Sequence, residues 1–197
     1  MMELLNCELG SMDAKDISIG ADDGGVGVSE RDRQRMALVD WILKNFQMEM
    51  DEGRVFVATL LFVEGISREN ASEAYRHFKR SLDRKLYGKA SERHSDRPQV
   101  KHLGVIEGGG STGKQIHYHS IFVKPKDREI SDDEFIALIR LQWNRVKKSM
   151  KNESVAAMVK RCRDLRGWVN YQTKFTTKYL GDGLSYVDLI DLETLNI

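Results

Sequence analysis

Val100-Lys101-His102-Leu103-Gly104-Val105-Ile106-Glu107 and Gln115-Ile116-His117-Tyr118-His119-Ser120-Ile121-Phe122-Val123 flank the turn-rich connection Gly108-Gly109-Gly110-Ser111-Thr112-Gly113-Lys114. Each flank is short and rich in β-branched or aromatic residues, so the pair reads as two strands joined in hairpin fashion and therefore antiparallel. Side chains alternate across a strand. His117 and His119 accordingly share one face, and Tyr118 and Ser120 the other.

Working outward, Arg54 to Val63 is another β-branched and aromatic run, too short for a buried helix of ordinary length, and reads as the first strand. Ser67 opens a helix over Arg68 to Tyr87 that carries Ala71, Ala74, Tyr75, Phe78 and Leu82 on one side. Residues 88–99 are polar and include Pro98, so they form a loop. Ser131 with Glu134 makes a capping box for a helix to about Lys148, turning Phe135, Leu138, Ile139 and Trp143 inward. Val155 to Cys162 is a fourth, weaker strand, and Asp164 caps a last helix over Leu165 to Leu180, stopped by Gly181.

The resulting order, β-α-β-β-α-β, predicts an α+β fold of ferredoxin-like or RRM-like type: a four-stranded antiparallel sheet with two helices on one face. The other face is left for a ligand or for the last helix. An added N-terminal helix begins at the Ser29 cap and runs to about Phe46, with Leu38, Trp41, Ile42 and Phe46 at helical spacing. The expected organisation is a mobile acidic tail over 1–28, a helix and linker over 29–53, a core domain over 54–181 and an acidic segment over 182–197.

In the 197-residue chain, 41% hydrophobic and 31% charged residues suit a globular domain and exclude a long disordered polymer. No apolar run approaches the ~20 residues that a membrane-spanning helix requires. The N-terminal stretch has no secretion-signal pattern, and two cysteines make no disulfide framework, so a reducing cytoplasm is the expected setting. The near-neutral total conceals a gradient. Residues 1–53 hold 5 Lys/Arg against 12 Asp/Glu, whereas residues 54–180 hold 26 against 14. Such a basic segment suits a polyanion or makes a solvated basic surface; composition does not choose between them.

Two imidazoles on one strand face can share an ion or serve the fold. Glu107 ends the preceding strand, so a hairpin brings it across from His117 or His119, and two imidazoles with a carboxylate make a three-ligand site with open positions. On the last helix, Tyr171, Lys174 and Lys178 fall at i, i+3 and i+7 and share a face. A phenol titrates near ~10, so attack on phosphorus at neutral pH requires a neighbouring cation. Trp168, Phe175 and Tyr179 form a neighbouring stripe expected to meet the core.

Val105-Ile106-Glu107, Ile116-His117-Tyr118-His119 and Asp164-Leu165-Arg166-Gly167-Trp168-Val169-Asn170-Tyr171-Gln172-Thr173-Lys174 together resemble the motif series of the rolling-circle replication initiators, the HUH endonucleases. Phe56-Val57-Ala58-Thr59-Leu60 resembles their first motif. The resemblance spans about Arg54 to Leu180. It implies that His117, His119 and Glu107 bind Mg²⁺ or Mn²⁺, that Tyr171 attacks a phosphate of single-stranded origin DNA, and that Lys174 is the motif lysine with Lys178 in support. It further implies a 5′-phosphotyrosine intermediate, a free 3′-OH primer, and a host helicase and polymerase as partners. A transposase or relaxase of the same superfamily, and a non-enzymatic RRM-like single-strand binder, are the alternative readings. Gly108, Gly113 and Lys114 match much of a phosphate-binding loop, but Gln115 stands where Ser or Thr would hold Mg²⁺ and a strand follows.

Overall fold

A computed structural model describes residues 29–88, 98–108, 115–149 and 157–179, with only the backbone described at residues 30, 31, 147–149 and 174–179. The expected mobile tail over 1–28, the connection over 109–114, the Gly181 stop and the acidic segment over 182–197 lie outside the described residues. The elements are α1 (Glu30–Asp51), β1 (Val55–Leu61), α2 (Arg68–Tyr87), β2 (His102–Glu107), β3 (His117–Val123), α3 (Asp132–Ser149), β4 (Ala157–Arg161) and α4 (Leu165–Tyr179). Among these, no helix is long and apolar enough to cross a membrane.

Side chains that satisfy the first backbone N–H groups start the helices. Ser29 and Ser67 accept from Asp32 N (3.1 Å) and Asn70 N (3.2 Å). Ser131 and Glu134 form the expected reciprocal box, at 2.8 Å and 3.2 Å. Asp164 Oδ1 accepts from Gly167 N at 2.8 Å. The reading of α1 as ending near Phe46 is corrected: the helix runs a further turn to Asp51, and Gly53, at φ 67°, follows its C-terminus and donates to Met50 O (2.9 Å). After Phe46 the apolar spacing breaks down, with Met48 exposed and Glu49 buried, so the sequence obscures a helix that tertiary packing through Met50 sustains.

The four strands form one sheet in the order β2-β3-β1-β4, every neighbouring pair antiparallel. This order is compatible with the ferredoxin-like arrangement. On one face Phe56, Ala58 and Leu60 of β1 and Tyr118 and Phe122 of β3 pack beneath α2 and α3. Aromatic rings meet edge-on there, with centroids 4.9 Å apart for Phe62 and Trp143 and 5.4 Å for Phe78 and Trp143. Gly104 makes this face close. A Cβ at Gly104 would stand 2.7 Å from the Tyr75 ring, which stacks on Tyr118 at 4.1 Å while its hydroxyl donates to Ser120 Oγ at 3.1 Å.

The alternate residues Val55, Val57, Leu103, Val105, Ile121 and Val123 face the other way, beneath α1 and α4. Val39, Ile42, Leu43 and Phe46 are buried on α1, with Leu38 and Trp41 at its flanks. Hence the face that the element order left for a ligand or the last helix is covered by two helices. The contribution of α1 was not foreseen, because an amphipathic stripe reveals that a helix is buried but not what it packs against.

Candidate metal centre

At one end of the α1/α4 face the aliphatic pattern stops. β3 sets His117 opposite Glu107 of β2 and Leu61 of β1, and His119 opposite Val105 and Thr59. The hairpin thus brings the carboxylate across from the first histidine, and the two-residue repeat brings in the second. His117 Nε2 and His119 Nε2 are 3.2 Å apart, and Glu107 Oε2 is 3.4 Å from the first and 3.2 Å from the second. His119 is buried, while His117 and Glu107 are partly so.

These distances suit an ion. Two ligand atoms at ~2.1 Å from one cation are separated by ~3.0 Å at octahedral right angles and by ~3.4 Å at the tetrahedral angle. The outer nitrogens agree with that use. His117 Nδ1 lies 2.9 Å from the Gln115 carbonyl, which can only accept, so Nδ1 carries the proton and Nε2 presents a lone pair to the centre. In the same tautomer, His119 donates from Nδ1 to Thr59 Oγ1 at 3.3 Å. Two imidazole lone pairs and a carboxylate oxygen then converge, and a shared cation turns their repulsion into coordination.

Without a cation, a proton does the same work. Burial alone opposes ionisation of Glu107, but hydrogen bonding to His117 and His119 outweighs it and holds the carboxyl well below the ordinary range. Glu107, His117 and His119 can therefore hold a metal ion.

α4 brings the tyrosine to this centre. The Tyr171 ring lies 5.9 Å from that of His119, nearly perpendicular at 83°, and is half exposed at 51%. Trp168, one turn earlier, contacts the same imidazole at 5.7 Å. Trp168 therefore joins the centre as well as flanking the core. The side chains of Lys174, Phe175, Lys178 and Tyr179 lie outside the described residues, so the expected lysine pair has only a backbone position on α4.

Two contributors were missed in the sequence. Thr59 is the single polar residue of Val55–Leu61, and that interruption was the available signal. Arg35 of α1 donates from Nε to Thr173 Oγ1 (3.2 Å) and from Nη2 to the Asn170 carbonyl (3.3 Å), gripping α4 on both sides of Tyr171 along the chain. Nothing local to α1 announces a contact across more than a hundred residues. No model of a known protein family matches the chain, and neither a curated protein nor a solved structure is significantly similar to it.

Proposed function

We propose that the protein nicks and rejoins single-stranded DNA by transesterification, with Tyr171 as nucleophile, as a replication initiator of the HUH endonuclease type. The observation that carries this reading is the contact of the Tyr171 ring with His119, one of three side chains whose ligand atoms lie within 4.8 Å of one another. A nucleophile and a cation-binding cluster at contact distance are the two parts such a reaction requires.

In the proposed step the Tyr171 oxygen forms a bond to phosphorus, and the bond from phosphorus to the 3′-oxygen breaks. The phenolic proton passes to solvent, and the departing 3′-oxygen takes one up. The products are a 5′-phosphotyrosine and a free 3′-OH. Attack by a 3′-OH on the phosphotyrosine reverses the step, so the phosphodiester energy is conserved for rejoining. Glu107, His117 and His119 would hold Mg²⁺ or Mn²⁺, which when bound would stabilise charge developing on the non-bridging oxygens. Lys174 and Lys178, on the tyrosine helix, are proposed to favour the phenolate.

The natural substrate is an origin strand in the host cytoplasm, with a host helicase and polymerase completing replication. A transposase or relaxase would use the same chemistry, and the neighbouring genes separate those roles. A stacking platform of RRM type is less well supported, because it needs an open sheet face and this one lies beneath α1 and α4.

The test uses a labelled random-sequence pool of single-stranded oligonucleotides with Mn²⁺. A covalent adduct that survives denaturation and disappears in Tyr171→Phe is expected. An adduct that persists in Tyr171→Phe rejects the nucleophile, and absence of any adduct from the wild-type protein rejects the activity.

A further inference from the structure

We infer that Met158 and Lys160 of β4 form a subsite for the nucleotide beside the reacting phosphate, with Met158 against the base and Lys160 against a backbone phosphate. This inference rests on the proposed single-strand substrate and adds a place for it.

The geometry begins at the metal centre and moves across the sheet. His119 is in register with Thr59, and Thr59 with Met158, so the three side chains form one row on one face. Two strand spacings separate the ends of that row, about 10 Å. β4 is the edge of the sheet, and Met158 there is 59% exposed. Lys160 projects to the same face two residues further on. Its Nζ lies 5.9 Å from the centroid of the Trp168 ring, whose neighbour is His119. A chain of contacts thus leads from the candidate metal centre through Trp168 to an ammonium group, with a thioether on the same face of the sheet.

The charge on this surface is not used internally. Lys101 is ion-paired with Glu49, Arg54 and Lys126 with Glu52, and Lys124 and Arg161 with Asp132. Lys160 makes no ion pair among the described residues. The acid nearest in sequence, Asp164, has its Oδ1 engaged in capping α4. On the same edge strand Met158 leaves a thioether open to solvent. A nucleotide fits both halves. Its base offers a flat, apolar, polarisable face to a thioether, and its phosphate an anion to the ammonium.

The test is fluorescence anisotropy with labelled oligo-dT and an abasic oligonucleotide of equal length, over a range of salt concentrations. Met158→Ala is expected to weaken oligo-dT binding about 3- to 10-fold and leave the abasic strand unaffected, since only base contact is lost. Lys160→Ala is expected to weaken both and to reduce the slope of log affinity against log salt by ~0.7, the value for one phosphate contact on a single strand. Lys126→Ala, whose lysine is paired with Glu52, serves as the charge control and should leave the slope unchanged. Equal loss of both oligonucleotides in Met158→Ala, no loss of either, or an unchanged slope in Lys160→Ala overturns the subsite. If these binding effects appear but no Tyr171 adduct forms, the subsite stands and the nicking activity falls. If an adduct forms without them, the reverse holds. A wild-type protein that binds neither strand overturns both.

Discussion

The two faces of this sheet are built from alternate residues of the same strands, yet they end differently. Beneath α2 and α3 the packing is largely aromatic, and hydroxyl groups pair within it, as Tyr75 does with Ser120 and Ser72 with Tyr118. Beneath α1 and α4 an aliphatic layer gives way at one end to Thr59, His117, His119 and Glu107. One residue along β3 separates the two regimes: Tyr118 is fully buried against the first pair of helices, and its neighbours on either side present imidazoles to the candidate metal centre. The first face contributes the fold and the second positions a cluster that could hold a metal ion, a division that depends on strand alternation.

The strongest challenge to this division is Trp143→Ala, which opens a cavity where Phe62 and Phe78 meet the indole. Urea denaturation should show a loss of about 3–5 kcal/mol. The pair His117→Ala with His119→Ala should cost less without metal, about 1–2 kcal/mol, from the hydrogen bonds that Glu107 loses. Comparable losses in the two variants would mean that the histidines belong to the core.

A second prediction makes the contrast ligand-dependent. Mn²⁺ at a hundredfold its dissociation constant should raise stability by about 2.7 kcal/mol through selective binding to the folded state. Thermal denaturation with and without Mn²⁺ should register that gain in wild type and Trp143→Phe, and lose it in His117→Ala with His119→Ala.

A third concerns Asp83, which lies at the rim of the α2/α3 face and accepts from Val100 N at 2.8 Å. Burial pushes its carboxyl up to about 6, against the opposing effects of that hydrogen bond and of Lys79. An exposed Asp titrates near ~3.9, so the folded state binds this proton more tightly than the unfolded chain does. The Asp83 contribution to stability should then fall as pH rises from about 4 to about 6 and level off above that. Asp83→Asn keeps the acceptor and removes the charge. Denaturation across this range should show the variant gaining about 2 kcal/mol on wild type by pH 7, with little difference at pH 4. A constant difference between the two proteins at every pH would contradict burial as the cause.

The hairpin that organises the site was legible in the sequence because Glu107, His117 and His119 lie close along the chain, and a strand's two-residue period decides which of them share a face. The caps at Ser67, Ser131 and Asp164 were legible for the same local reason. The roles of Arg35 and Thr59 were not, since each depends on a register or packing contact between distant segments. The extension of α1 to Asp51 belongs with these, because in its last turn the buried position is Glu49 while Met48 is exposed. Sequence periodicity reports how an element presents itself, and only the assembled fold reports to what.

The central claim is that Glu107, His117 and His119 bind one cation through both imidazoles. Electron spin echo envelope modulation of Mn²⁺ added to the protein tests it directly, since ¹⁴N nuclei of coordinated imidazoles modulate the echo. The account predicts modulation from two such nitrogens, reduced to one in His117→Ala or His119→Ala and absent in the double variant. A bound Mn²⁺ signal with no nitrogen modulation in the wild-type protein would contradict it.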